Sequence, residues 1–211
     1  MAAKGTRQTQ SSKFTAPGLS SSSGADAARM LQERLESVID LALTLKHIHW
    51  NVVGPTFIGV HTMLDPQVDG VAAMVDETAE RIAVLGASPN GLAGNLVKNR
   101  SWDDYSLNRA VVPQHLAALD LVYRGVIEDH RTVIDKLDDI DPITQDMLIG
   151  HTAQLELYQW FVRAHLESQS GSLVTAKAKT ETGAAAAVSR ADSKGAESTQ
   201  PSTPRTRNKK R

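Results

Sequence analysis

One long helical pattern constrains the fold of this chain more than any other feature. Apolar residues recur at helical spacing over residues 57–85, and this stretch carries two pairs of acidic or imidazole side chains. The pairs are His61 with Asp65 and Asp76 with Glu80, each four residues apart. A helix rises about 1.5 Å per residue, so His61 and Glu80 lie roughly 28 Å apart and cannot bind one metal ion together. If both pairs serve one centre, two subunits supply them, with this helix antiparallel to its own copy across a two-fold axis.

Four amphipathic helices are predicted in total. The first covers residues 26–53 and ends at a Gly-Pro pair, and the second covers residues 57–85. Pro66 removes one hydrogen bond inside the second helix, so a kink is expected there. The third helix begins near Pro113, which suits a first turn, and the fourth covers residues 142–167.

The link between the second and third helices is long. Residues 87–100 are dense in Gly, Asn and Pro, and the segment Trp102-Asp103-Asp104-Tyr105 is predicted to open a short connecting helix. No alternating strand pattern is evident in the sequence. The fold class expected is therefore all-α: a ferritin-like four-helix bundle with a long crossover that carries a short helix.

The histidine spacing argues against a metal site inside the bundle. Many ferritin-like di-iron proteins use Glu-x-x-His motifs on facing helices. None of the seven histidines here has Asp or Glu three positions before it, so we expect the metal at a subunit interface. The chain has no cysteine, which leaves oxygen and imidazole groups as its metal ligands. His49, on the apolar stripe of the first helix, is the fifth candidate ligand.

Charge is distributed unevenly along the chain. Residues 168–211 hold nine Lys or Arg against three acids, and residues 1–27 hold three against one, so the remainder carries a net charge of −9. We expect a flexible N-terminal arm over residues 1–25, a bundle over 26–167 and a disordered basic tail over 168–211. No apolar run approaches the roughly 18 residues of a membrane span, so a soluble, cytoplasmic protein is expected, without a membrane partner.

The ligand-bearing segments resemble the signature of the Dps family, the mini-ferritins known as DNA-binding proteins from starved cells. The resemblance covers roughly residues 26–167. It rests on the run Leu45-Lys46-His47-Ile48-His49-Trp50-Asn51-Val52, on Gly54, Phe57, His61, Asp65 and Asp76, and on Ala79-Glu80-Arg81 with Leu85-Gly86. The segments Trp102-Asp103-Asp104-Tyr105 and Gln159-Trp160-Phe161-Val162 resemble actinobacterial members.

The resemblance implies a hollow homododecamer with a ferroxidase centre at each two-fold interface. His49, His61 and Asp65 of one subunit would bind iron together with Asp76 and Glu80 of its neighbour. The reaction implied couples Fe(II) to hydrogen peroxide, or less efficiently to dioxygen, and stores the ferric product in the cavity. The implied role of Trp50 is to supply an electron when one iron is bound, although interface packing is an equally good reading for Trp50 and Trp160.

One position departs from the family pattern. Many relatives have an acidic residue directly after the aspartate at position 65, where this chain has Pro66. We therefore expect one tight iron position and a weaker second one, with at most two iron ions per interfacial site.

Two further charged groups have both a plain and a functional interpretation. Acidic residues near the start of the fourth helix either solvate the helix ends or ring a three-fold pore that draws in Fe(II). These are Asp138, Asp139, Asp141 and Asp146. The basic C-terminal residues either improve solubility or bind DNA without sequence specificity, with twelve tails acting together near the nucleoid. These are Arg190, Lys194, Arg205, Arg207, Lys209, Lys210 and Arg211.

Two rival functions remain open at this point. One is an architectural nucleoid protein with a relic metal site, against which the intact set of five ligands argues. The other is a cage with a hydrolytic activity on metal-bound water, for which no Ser-His-Asp order or zinc-type motif gives support.

Overall fold

The computed structural model of the protein describes residues 14–168 and 170–198, which form six helices and two short strands. The elements are α1 (Ser21–Asn51), β1 (Val52–Val53), α2 (Phe57–Val84), α3 (Ala93–Asn99), β2 (Ala110–Val111), α4 (Val112–Leu137), α5 (Pro142–Leu166) and α6 (Glu181–Ser198). The four long helices form a bundle in which α1 packs on α2 and α4 packs on α5. The predicted all-α bundle is confirmed. In the described part of the chain, no helix is both long and apolar enough to cross a membrane.

The connection from α2 to α4 crosses the length of the bundle. β1 follows α1 directly and β2 precedes α4 directly, and the two strands pair in parallel, with Val52 opposite Ala110. This pairing places the end of α1 beside the start of α4, so the chain has to return along the bundle after α2. The Gln32 amide donates a 3.0 Å hydrogen bond to the carbonyl of Asn90, which fastens the returning segment to α1.

The short helix of the crossover lies earlier than predicted. α3 covers Ala93–Asn99, whereas the segment starting at Trp102 is irregular. Trp102 Nε1–H donates to Asp40 Oδ2 at 2.8 Å, and Arg100 Nη1 lies 3.3 Å from Asp40 Oδ1. The prediction of a helix that opens at Trp102 is wrong, because this tryptophan anchors the crossover to α1 instead of starting a helix.

The interior of the bundle holds two apolar clusters. The larger one lies towards the end of α1 and the start of α4 and includes the fully buried Leu41, Leu64, Leu119 and Leu155. The smaller one lies towards the start of α1 and includes the fully buried Leu31, Ile82, Leu137 and Leu148. All four long helices contribute to both clusters, and close packing of this kind fixes how the helices face one another.

The first helix starts before the predicted boundary of the N-terminal arm. Ser20 is the N-cap of α1, and its hydroxyl accepts a 3.0 Å hydrogen bond from the Ser23 backbone N–H. A serine at this position satisfies one of the free N–H groups of the first turn. Residues 21–25, predicted as part of a flexible arm, therefore belong to the helix, while residues 1–13 of that arm lie outside the described residues.

The C-terminal segment also differs from the tail predicted over residues 168–211. Within it, α6 packs along α4, buries Ala184 and Val188 in the larger apolar cluster, and also buries Ala185. Gln114 on α4 donates a 2.9 Å hydrogen bond to the Ser189 hydroxyl. The small alanine side chains favour a helix and allow it to lie close to its neighbour, so this part of the segment is docked on the bundle.

Candidate metal centre

A tight turn brings the first three predicted ligands together. His49 lies in the last turn of α1, and His61 and Asp65 lie in the first turns of α2. Gly54 sits between the two helices with a φ of 117°, a conformation that glycine adopts without steric cost. The chain therefore reverses within a few residues, and α2 returns along α1 with His61 and Asp65 opposite His49. We call these three residues the half-site.

The half-site side chains contact one another directly. His49 Nε2 lies 2.9 Å from Asp65 Oδ1, and the rings of His49 and His61 stack with their centroids 3.6 Å apart. His61 Nδ1–H donates a 3.0 Å hydrogen bond to the backbone carbonyl of His49. Because Nδ1 carries that proton in a neutral ring, Nε2 of His61 keeps a free lone pair. A backbone partner of this kind commonly orients a metal-binding histidine.

The environment of His49 favours its neutral form. Burial lowers the pKa of His49 and the neighbouring His61 lowers it further, while Asp65 acts in the opposite direction. Its contact with Asp65 is close but not aligned as a hydrogen bond, and within the described chain neither ring nitrogen has a hydrogen-bond partner. A neutral imidazole with unused nitrogens is the form that binds a metal ion.

The second ligand pair does not join the half-site within one subunit. Asp76 and Glu80 are exposed and lie farther along the same unbroken helix, α2. Eleven residues separate Asp65 from Asp76, which is about 16 Å along a helix. In the described residues of the single chain, no three His, Asp or Glu side chains are arranged to hold a metal ion.

Exposed apolar side chains lie close to the half-site residues in sequence. Trp50, next to His49, is 72% exposed, and Leu43 and Ile58 nearby in sequence are 60% and 64% exposed. Exposed apolar groups of this size commonly mark a contact surface for another protein chain. The second tryptophan considered in the sequence, Trp160 on α5, is also largely exposed.

Two side chains near the half-site belong to the quoted sequence signature but were given no role at the site. The Phe57 ring lies 4.9 Å from the ring of His61, and Lys46 Nζ lies 3.9 Å from Asp65 Oδ1. Helical spacing could have identified both, since Phe57 precedes His61 by four residues and Lys46 precedes His49 by three. The lysine places a positive charge beside a predicted metal ligand.

The turn of α2 that contains Pro66 has a contact from α5. The helix continues through Pro66, whose carbonyl accepts a 3.2 Å hydrogen bond from the Tyr158 hydroxyl. A Cβ atom at Gly70 would collide with that hydroxyl, so glycine at this position allows the approach. The turn that carries Asp65 is thereby held against α5.

The four acids of the predicted pore fall into two groups. Asp138, Asp139 and Asp146 are exposed, whereas Asp141 is 4% exposed and lies 2.7 Å from Arg81 Nη2. Burial raises the pKa of Asp141, but hydrogen bonds from Thr144 and Arg81 outweigh this effect and the net pKa is lowered. Asp141 thus links α5 to α2 within the subunit, and it is not available to line a pore.

Most of the predicted DNA contacts fall beyond the described part of the chain. Arg190 is exposed on α6. The Lys194 side chain and the basic residues 205–211 lie outside the described residues. The geometry around the half-site is therefore the part of the predicted function that the structure describes in detail.

Comparison with known proteins agrees with this architecture. Residues 28–170 match the family model described as ferritin-like domain. The DNA protection during starvation protein of Mycolicibacterium smegmatis is 59% identical over 172 residues, which cover 82% of this chain and 94% of that protein. The fine tangled pili major subunit of Haemophilus ducreyi is 51% identical over 159 residues, covering 75% and 84%. The solved structure of Mycobacterium smegmatis Dps has a TM-score of 0.79 and 58% identity, covering 80% of this chain and 97% of that one.

The bundle, its crossover and the family match define a ferritin-like fold, as the sequence predicted. Given the identity to the starvation protein over most of both chains, this chain belongs to the Dps family.

Proposed function

We propose that this protein is a ferroxidase that assembles as a hollow homododecamer, oxidises Fe(II) at sites shared by two subunits and stores the ferric product inside. Iron storage and DNA protection are functions of the Dps family. The observation that carries the proposal is the half-site: His49, His61 and Asp65 meet at an apolar surface, while the second ligand pair is exposed farther along α2. Each interfacial site would hold at most two iron ions.

One distance in the half-site suits two ligands on the same metal ion. At metal–ligand distances of about 2.1 Å, two ligands at a right angle lie about 3 Å apart. His49 Nε2 and Asp65 Oδ1 are 2.9 Å apart, and His61 has a free Nε2. The remaining carboxylates would come from Asp76 and Glu80 of the partner subunit. Imidazole and carboxylate ligands together suit iron better than a set of oxygen ligands alone would.

Fe(II) is the substrate in this proposal, and hydrogen peroxide is the oxidant, with dioxygen as a slower alternative. Two Fe(II) ions would give one electron each, and with two protons from solvent this electron pair would break the O–O bond of peroxide and yield two water molecules and two Fe(III). A paired transfer leaves no hydroxyl radical. Where only one Fe(II) is bound, Trp50 would supply the second electron, and a Trp50→Phe variant should then release more trapped radical than the parent protein.

The test is rapid mixing of the anaerobic protein, loaded with about two Fe(II) per subunit, with hydrogen peroxide. Ferric absorbance and hydroxyl-radical trapping are followed in the parent protein and in an Asp76→Ala, Glu80→Ala double variant. The control is Asp69→Ala, which removes an exposed acid from the same helix. We expect fast oxidation with little radical in the parent and the control, and loss of both properties in the double variant. Equal rates in all three proteins would favour a DNA-coating cage with a relic metal site.

The acidic exposed residues near the start of α5 are proposed to guide Fe(II) into the cavity. With Asp141 engaged by Arg81, the proposal is limited to Asp138, Asp139 and Asp146. An Asp146→Asn variant should take up iron more slowly while turning over peroxide normally at sites that already hold iron. Stopped-flow measurements with and without preloading separate the two steps, and equal slowing of both would contradict a pore role.

DNA binding is proposed to depend on the basic C-terminal residues, which would place the protein on the nucleoid in the cytoplasm. Residues 28–167 carry a net charge of −9, so the body of the protein repels DNA and a basic segment has to make the contact. One cage would carry twelve copies of that segment. Their many weak contacts with phosphates would together give tight, salt-sensitive binding. Intact ligands in the half-site argue against a purely architectural role, and no described feature favours hydrolysis.

A variant that ends at Ser198 tests this role without removing the docked helix α6. It lacks Arg205, Arg207, Lys209, Lys210 and Arg211. The matched control keeps the full length and replaces these five residues with glutamine. Both variants should lose DNA retardation, and the slope of log K against log salt should fall by about 0.9 for each phosphate that is no longer neutralised. Unchanged retardation would assign DNA binding to another part of the chain.

A further inference from the structure

A layer of buried polar side chains crosses the bundle between its two apolar clusters. Each long helix contributes one residue. On α2, α4 and α5 it lies where the contacts change from one cluster to the other, and on α1 it directly precedes Leu35 of the smaller cluster, with its charge acting on His130. The residues are Arg34 on α1, Thr78 on α2, His130 on α4 and His151 on α5. Their exposed fractions are 6%, 1%, 0% and 5%. We call these four residues the polar layer.

One ring nitrogen of His130 is buried without a hydrogen-bond partner among the described residues. Its Nδ1–H donates a 2.9 Å hydrogen bond to the Val126 carbonyl one turn earlier. Burial lowers the pKa of His130 to about 3, and the charge of Arg34 lowers it too, so the ring is neutral. Its Nε2 is therefore a hydrogen-bond acceptor, and this atom is buried with no partner in the described chain.

The other members of the layer have unused hydrogen-bonding groups as well. Arg34 Nη1 lies 3.5 Å from Asp129 Oδ2, yet Nε and Nη1 of this arginine make no hydrogen bond with any described residue. His151 Nε2–H donates to Glu77 Oε2 at 2.7 Å, which leaves its Nδ1 buried and unpaired. The buried Thr78 hydroxyl likewise has no partner in the described residues.

The mixture of donors and acceptors selects the kind of ligand that fits. A metal ion would face the Arg34 guanidinium, and no three ligand side chains in the described chain are arranged for one. An anion would suit Arg34 but would face the lone pair of His130 Nε2. Water can accept from the arginine N–H and donate to the imidazole nitrogen, and buried waters characteristically join such groups.

We propose that the polar layer is a binding site for ordered water, with at least one water molecule bridging Arg34 and His130. Four-helix bundles commonly bind cofactors and metals with side chains that face the core from several helices, and here such side chains would bind water. A water held between Arg34 and His130 links α1 to α4, and the unpaired groups of His151 and Thr78 would let further water reach α5 and α2. The layer would thereby oppose sliding of one helix along another.

The direct test is a crystal structure of the full chain at a resolution where water is visible. We expect a density peak within hydrogen-bond distance of both His130 Nε2 and an Arg34 nitrogen, without anomalous signal. A direct hydrogen bond between the two side chains, an anion or metal in the layer, or a dry gap would each overturn the proposal.

A mutant cycle gives a second, independent test. Arg34→Met and His130→Leu are compared singly and together by thermal unfolding of the assembled protein. The matched control is His165→Leu, since the exposed His165 makes the same bond to a carbonyl one turn earlier, that of Phe161, at 2.7 Å. We expect each single layer variant to lower Tm and the double variant to recover at least half of the larger loss. Additive losses would show that no water couples the two residues.

Discussion

The half-site and the polar layer use similar side chains in opposite surroundings. In the half-site, two stacked imidazoles and a carboxylate meet beside exposed apolar groups, and Asp65 remains 51% exposed. In the polar layer, two imidazoles and a guanidinium are enclosed by four helices. The half-site is open to solvent, so a second subunit has room to supply its missing ligands. The polar layer is enclosed, so only a molecule as small as water can supply its missing hydrogen bonds. The same residue types thus serve assembly in one region and internal order in the other.

The sharpest test of this contrast is complementation between two inactive variants. His49→Ala disables the half-site, and the Asp76→Ala, Glu80→Ala variant disables the groups that the neighbour supplies. Each variant alone should oxidise iron about 100-fold more slowly than the parent protein. Loss of a metal ligand should lower activity at least as much as loss of a residue that hydrogen-bonds a ligand, which lowers it up to about 100-fold. When the two are unfolded and reassembled together in equal amounts, about a quarter of the sites combine two intact halves.

Iron oxidation in the mixture should therefore recover to about a quarter of the parent rate. Each variant reassembled alone serves as the control. A mixture as inactive as its components would show that the ligands come from one subunit, and the contrast between the two regions would fail.

The pH dependence of stability should separate the regions next. An ordinary histidine has a pKa near 6.5, and that of His130 is lowered to about 3 by burial first and by Arg34 second. Between these values the unfolded chain binds a proton that the folded chain excludes. The contribution of His130 to stability is therefore complete above pH 6.5 and is lost as the pH falls through this window.

A His130→Leu variant should lose stability less steeply than the parent between pH 6.5 and 4, measured as Tm against pH. Arg34, Asp129, His151 and Glu77 face this region and remain in both proteins, so they cancel in the comparison. A His130→Leu curve parallel to the parent curve would mean that His130 is not enclosed.

The smallest expected effect concerns the charge beside the half-site. Lys46 Nζ lies 3.9 Å from Asp65, and its side chain is 37% exposed. Solvent weakens such a contact to at most about 1 kcal/mol. Lys46→Gln should strengthen Fe(II) binding by less than about fivefold, measured by anaerobic titration, because it removes a repelling charge. Weaker binding in the variant would show that the lysine positions Asp65.

One pair of the half-site could be predicted from the sequence because helix geometry is local. The spacing of His61 and Asp65 fixes them on one face of α2. The addition of His49 to this pair followed from the resemblance to the Dps family, and the reversal at Gly54 that brings it close appears only in the fold. The polar layer could not be predicted in this way. His130 and His151 become neighbours only through the packing of α4 against α5, and spacing within one helix cannot reveal how two helices pack.

The C-terminal segment and Asp141 show a related limit of prediction from sequence. The tail over residues 168–211 was predicted to be disordered from its charge. Its alanine run, residues 184–187, favours a helix, and the prediction did not use this feature. Asp141 was correctly placed at the start of α5, but Arg81 lies 60 residues away along the chain and neutralises it only in the folded protein. Contacts at such separations depend on the tertiary fold.

The unbroken course of α2 has a consequence for how paired sites communicate. If its first half serves one iron site and its second half another, the same two helices build both sites at a two-fold interface. Any tilt of α2 that tightens the ligands around iron at one site then moves the carboxylates offered to the other. Iron loading at the two sites of an interface would be cooperative, with the stiffness of one helix setting the strength of the coupling.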